Sequence, residues 1–148
     1  MNEARLKQLI QYTLAVASQE DEYYEKDLGP IHFIKYVYLA DMEYAKFNNG
    51  VTFTDVNWQF YHFGPWSNEV NMAIEPGLNA IYAEKKEIPS DYGNSDYIRW
   101  SLQNINDAWL SCLGLELGLT VVSALKKYVH QFKNNTAALL NFVGLHQN

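Results

Sequence analysis

Pro30-Ile31-His32-Phe33-Ile34-Lys35-Tyr36-Val37-Tyr38-Leu39-Ala40-Asp41-Met42-Glu43-Tyr44-Ala45-Lys46 is the stretch whose reading decides the fold. It follows Gly29 with Pro at a natural first helical position and ends before Asn48-Asn49-Gly50, so it predicts a helix over about 30–47. At 100° per residue, His32, Lys35, Glu43 and Lys46 share one narrow polar stripe, and the rest of the cylinder is left for burial. Asp41 falls outside that stripe, about 240° around the axis from Lys35. A carboxylate in that apolar sector needs hydrogen-bond partners, and the expectation is that backbone N–H groups or a Tyr hydroxyl supply them.

Around this central helix the chain reads as mainly α: one compact helical domain over residues 1–148 with a small β-hairpin. Leu6, Leu9, Ile10, Thr13, Leu14 and Ala17 predict an amphipathic helix over about 3–19 behind an Asn2 cap. Thr52–Thr54 and Trp58–Phe63 are rich in β-formers and read as short extended pieces. Ser67 caps a helix from Asn68 to about Glu75, which Pro76-Gly77 is expected to break before a short helix near Leu78–Ala83. Glu84–Ile88 and Tyr97–Leu102 flank turn residues Asp91–Ser95 and predict the one sizeable hairpin. Asp107–Leu113 looks helical, Gly114 and Gly118 weaken the middle, and Val121, Val122, Leu125, Tyr128, Val129 and Phe132 restore a helical face. A last helix spans about 136–145, with Ala137, Leu140 and Leu145 among its apolar positions.

Composition narrows the function. Eleven Lys and Arg against 17 Asp and Glu give a net charge of −6, which on average repels a phosphate backbone and makes nucleic acid a disfavoured partner. The N-terminus lacks the pattern of a signal peptide and no run approaches a membrane span, so a cytoplasmic location is expected. Cys112 is the single cysteine; set in Trp-Leu-Ser-Cys-Leu, it reads as a core residue rather than a nucleophile. His32, His62, His130 and His146 show no metal-ligand spacing, and no nucleophile elbow, phosphate loop or dinucleotide fingerprint is present. No metal, no cofactor and no enzyme activity are expected.

The run Phe33–Asp41, then Gly50, then Tyr61-His62-Phe63-Gly64-Pro65-Trp66-Ser67 with Val70 resembles the Panacea domain, also called the SocA-like antitoxin domain, found in bacterial and phage-associated GepA-like proteins. The pattern is a Lys (here Lys35) leading a Leu-Tyr-Leu-Ala type helix, a short polar loop, then an aromatic and a Gly-Pro opening another helix. The resemblance is clear over Pro30–Val70 and weaker over Val121–Val143. It implies a protein that neutralises a cognate toxin by direct contact and, as for at least one SocA-type member, delivery of that toxin to a protease. Lys35, Asp41, Tyr61, Gly64 and Pro65 match the motif and read as structural; the alternative for Tyr61–Trp66 is a partner-binding edge, but the rings beside Gly64-Pro65 are expected to pack under the turn. The expected partner contacts are Tyr23 and Tyr24, in an acidic segment without core periodicity, and Trp66, which has no assigned helical face.

The alternative is a winged-helix-like nucleic-acid-binding regulator. Lys126, His130 and Lys133 share a helical face with Lys127 beside it, and a short turn leads to a last helix. From Thr136 to Asn148, however, there is no Lys or Arg to reach phosphates or base edges.

Overall fold

The computed structural model describes residues 1–88 and 97–145. Among them the elements run α1 (Glu3–Ser18), α2 (Pro30–Lys46), β1 (Gln59–Tyr61), β2 (Gly64–Trp66), α3 (Asn68–Asn79), β3 (Glu84–Ile88), β4 (Tyr97–Ser101), α4 (Asp107–Leu117), α5 (Leu119–Phe132) and α6 (Thr136–Leu145), with a single 3-10 turn at Tyr23–Glu25. The protein is mainly helical with two small antiparallel sheets, β1–β2 and β3–β4. The turn residues Asp91–Ser95 and His146 lie outside the described residues.

Helix α2 is central, as its composition predicts. It packs against α1, α3, α5 and α6, and every residue from His32 to Asp41 is buried. The predicted polar stripe survives only at its C-terminal end, where Glu43 and Lys46 pair at 2.9 Å. His32 and Lys35 are buried instead, because β2 and α6 lie over that side of the helix and each polar group finds a partner there. Gly29 has no side chain to cap α2, so His32 at the third helical position reaches back, its Nδ1 accepting from the Gly29 N–H at 3.1 Å. Nε2 therefore carries the proton and donates to Thr136 Oγ1 at 2.9 Å. Burial, reinforced by the Arg99 guanidinium, holds this imidazole neutral with its pKa lowered to about 4.

Helix α1 begins where Asn2 Oδ1 accepts from the Arg5 N–H at 3.1 Å, and it lays Leu6, Leu9, Ile10 and Leu14 into the core. Helix α3 does not break at Pro76-Gly77 but runs through to Asn79. Val70, Ile74 and Leu78, four residues apart, are all buried, and α3 packs along α1; Pro76 stands on the exposed side. Gly77 lies against Lys7, and its carbonyl accepts from Gln11 Nε2 at 2.9 Å. Tertiary packing thus outweighs the hydrogen bond that proline cannot make.

Helix α4 passes through Gly114, which sits on Tyr12, and ends at Gly118, whose φ of +92° lets the chain turn 116° into α5. Its inner face is Leu113 and Leu117; Cys112 lies on the outer one and is exposed, contrary to the core reading. Helix α6 buries Leu139 and Val143, while Ala137 is exposed and Leu140 only partly covered, so its apolar face is rotated from the one expected. Among the described residues no single helix is long and apolar enough to cross a membrane.

Strands β3 and β4 pair as predicted, Glu84 opposite Ser101 and Ile88 opposite Tyr97. Trp100 and Leu28 exchange backbone hydrogen bonds at 2.8 and 2.9 Å. Beside them Arg99 binds Asp27 Oδ1 at 2.8 Å and the Tyr97 hydroxyl at 3.0 Å. Thr52–Thr54 forms no strand; the Thr54 N–H donates to Asp41 instead.

Candidate partner-binding surface

The motif residues from Trp58 to Ser67 fold into a two-stranded hairpin on top of α2. Its anchor is Asp41, buried where the helical geometry places it. Oδ1 accepts from the Thr54 N–H at 3.0 Å; Oδ2 accepts from Thr54 Oγ1 at 2.6 Å and from Trp58 Nε1 at 2.9 Å. The expected satisfaction of this carboxylate is met by a backbone N–H, with a Thr hydroxyl and an indole in place of a Tyr. Burial raises the Asp41 pKa against the pull of these hydrogen bonds. Trp58, so fixed, meets Tyr38 edge-on at 5.2 Å between centroids, and Tyr38 meets Phe60 at 6.1 Å.

In the hairpin Gln59 faces Trp66, Phe60 faces Pro65 and Tyr61 faces Gly64. Gly64 has φ +99°, a left-handed conformation that a Cβ disfavours. Pro65 has no N–H to give the ladder; its carbonyl accepts from Lys35 Nζ. Lys35 is fully buried, with Nζ 5.2 Å from the centre of the Phe63 ring. Burial pushes its pKa down to about 8.

The outer side of this hairpin differs from the expectation. Gly64 and Pro65 are buried and shape the turn, but the rings around them are not packed beneath it: Phe60, Tyr61 and Phe63 remain 52%, 48% and 46% exposed. Tyr61 and Phe63 stack at 5.4 Å, and Phe63 meets Trp66 at 5.7 Å and 90°. Trp66, partly covered, is thus the inner edge of an aromatic cluster rather than an isolated anchor. From Asn57 to Asn68 there is no Asp, Glu, Lys or Arg, although the chain carries net charge −6. Phe63 belongs to the Tyr61–Ser67 motif and Phe60 lies just outside it; the uncharged aromatic stretch is the signal that marks both as surface rather than core.

Tyr23 and Tyr24 are exposed, as expected, but belong to a different neighbourhood. Their 3-10 turn is tied to the α5–α6 corner: Glu25 pairs with Lys133 Nζ at 3.1 Å, Glu20 with His130 Nδ1 at 3.2 Å, and Asn134 Nδ2 donates to the Tyr24 carbonyl. The contacts of Trp66 run to Phe63 and the core instead. These pairs also take up two members of the basic face that Lys126, His130 and Lys133 were expected to present.

Among the described residues no three His, Cys, Asp or Glu side chains gather as a metal-binding set. The chain matches no protein-family model, no curated protein and no solved structure.

Proposed function

We propose that this chain is an antitoxin-like binding domain that neutralises a cognate toxin by direct protein contact, and that the β1–β2 hairpin is its principal contact surface. One observation carries the reading: Phe60, Tyr61 and Phe63 stand half exposed on a hairpin anchored from below through the Trp58 indole on Asp41. Aromatic side chains with few rotatable bonds give large contact area at low entropic cost, and clustered rings are where interfaces concentrate their energy. Tyr23 and Tyr24 form a second, flanking candidate. The function needs no turnover, and delivery of the bound toxin to a protease is the extension that the motif resemblance suggests.

The nucleic-acid reading ranks lower. His130 and Lys133 face Glu20 and Glu25, and α6 carries no cation.

Co-expression with the product of the adjacent reading frame supplies the test, with affinity and melting temperature read on each variant. Phe60→Ala and Phe63→Ala should weaken binding by about 2 kcal/mol, roughly 30-fold, with little change in melting temperature. Wild-type affinity in both variants, or tight sequence-selective binding of duplex DNA at physiological salt, would count against the proposal. The half-life of the bound toxin, with and without the chain, reads out the protease arm.

A further inference from the structure

The hairpin rests on a charge that pairs with no carboxylate among the described residues. Lys35 is 0% exposed; the Pro65 carbonyl takes one of its three N–H donors, and the Phe63 ring covers it from 5.2 Å. Among the described residues every ion pair lies elsewhere. On its own helix, His32 is engaged by Gly29 and Thr136, the Tyr36 hydroxyl by the Lys133 carbonyl, and Asp41 by Thr54 and Trp58; Tyr38 sits among rings. The hairpin brings only Tyr61 and His62, both exposed, and α6 has no ionisable residue between Thr136 and Leu145. On α3, Glu69 accepts from the Asn57 N–H at 2.7 Å. Helix α1 brings Glu3, Arg5 and Lys7, all exposed, and Tyr12 against Gly114. Helix α5 brings Lys126, Lys127 and His130, all exposed, and Tyr128, whose hydroxyl donates to Glu43 at 2.9 Å. A buried ammonium with one carbonyl and one ring face is poorly compensated for the water it has lost.

We propose that Lys35 is a spring beneath the hairpin: its buried charge favours local opening of residues 59–66 at neutral pH, keeping Phe60, Tyr61 and Phe63 adjustable to a partner, and loss of the proton closes the hairpin. The lid is slight, a two-residue turn with β1 exposed along its length, so opening it gives the ammonium water without disturbing the helical core. The sign is set by the protons bound. Closed, Lys35 holds its proton only up to about pH 8; open, it recovers the ordinary lysine value. The open form therefore binds more protons between those values, and opening becomes rarer as pH rises. This inference concerns the same hairpin as the proposed partner surface but needs no partner, so its test stands or falls separately.

The experiment is hydrogen exchange of the whole protein between pH 7 and 9.5, with labelling times shortened to offset the intrinsic rate. Protection of residues 59–66 should rise by roughly tenfold or more across that range, while peptides of α1 do not follow. In Lys35→Met, which keeps the stem and removes the charge, the hairpin should be protected throughout and the step should vanish. His62→Gln should retain it. A flat or falling profile in the wild type overturns the proposal, as does a step that persists in Lys35→Met. Should Lys35→Met not fold, titration of the wild-type Lys35 side chain by carbon NMR decides: a midpoint well below the ordinary lysine range supports the spring, and a midpoint at the ordinary value refutes it.

Discussion

Removing the Asp41 carboxylate should cost stability in a way that can be worked from its contacts. The group accepts from three donors, the Thr54 N–H at 3.0 Å, Thr54 Oγ1 at 2.6 Å and Trp58 Nε1 at 2.9 Å. In Asp41→Ala the Thr54 hydroxyl can turn toward another acceptor, but the buried Thr54 N–H and the indole N–H are left without one. Each stranded donor costs about 1–3 kcal/mol, partly offset because a buried charge is also removed, so a net loss of about 2–4 kcal/mol is expected. Asp41→Asn keeps the shape and one acceptor oxygen but turns an NH2 toward a donor, and should lose about half as much. Urea titration followed by Trp fluorescence measures both, with an unchanged slope showing that only stability moved. The pH dependence has a definite sign. Because burial raises the Asp41 pKa, the folded state holds this proton more tightly than the unfolded one. Its stabilising contribution is then greatest below the ordinary carboxylate range and falls as pH rises through the folded value. Wild type should gain on Asp41→Asn as the solution is acidified. An Asp41→Ala variant within about 0.5 kcal/mol of wild type would refute this account of the helix.

Two further sites test the backbone. Gly64→Val forces a β-branched residue into φ +99° and should destabilise by about 2 kcal/mol or more in chemical denaturation, whereas Pro65→Ala keeps the carbonyl that serves Lys35 and should cost well under half of that. Lys133 sits at φ +53°, ψ −124°, a region suited to glycine; Lys133→Gly and Lys133→Ala both lose the Glu25 ion pair, and the glycine variant should melt a few degrees above the alanine one.

Much of this architecture is legible in the sequence because the signals are local. The apolar cylinder of α2, the caps Asn2 and Ser67 and the pairing of Glu84–Ile88 with Tyr97–Ser101 derive from periodicity, capping chemistry and β propensity. Asp41 is legible too, since an acid at the wrong angle on an apolar helix must be satisfied. The misses share one cause. His32, Lys35, Pro76 and Cys112 take their environment from elements distant in sequence, α6 and β2 over one side of α2, α1 along α3, and the orientation of α4 on the core. Helical angle alone places Lys35 with Glu43 and Lys46, and only the arrival of Pro65, thirty residues on, makes it a buried donor. The candidate surface is half visible: Trp66 stands out beside the turn, but the half-exposure of Phe60, which meets Tyr38, and of Phe63, which meets Trp66, depends on how a short hairpin sits on α2. Tyr23 and Tyr24 are as exposed as their irregular, acidic setting suggests.

The most direct test of the central claim is the footprint of the bound partner. Hydrogen exchange of the chain alone and in complex with the product of the neighbouring reading frame should place the largest gain in protection on the peptide covering residues 58–67, with a smaller gain at most around Tyr23 and Tyr24. Protection confined to the α5–α6 corner or to the β3–β4 hairpin, with 58–67 unchanged on binding, would contradict the assignment of the aromatic hairpin as the contact surface.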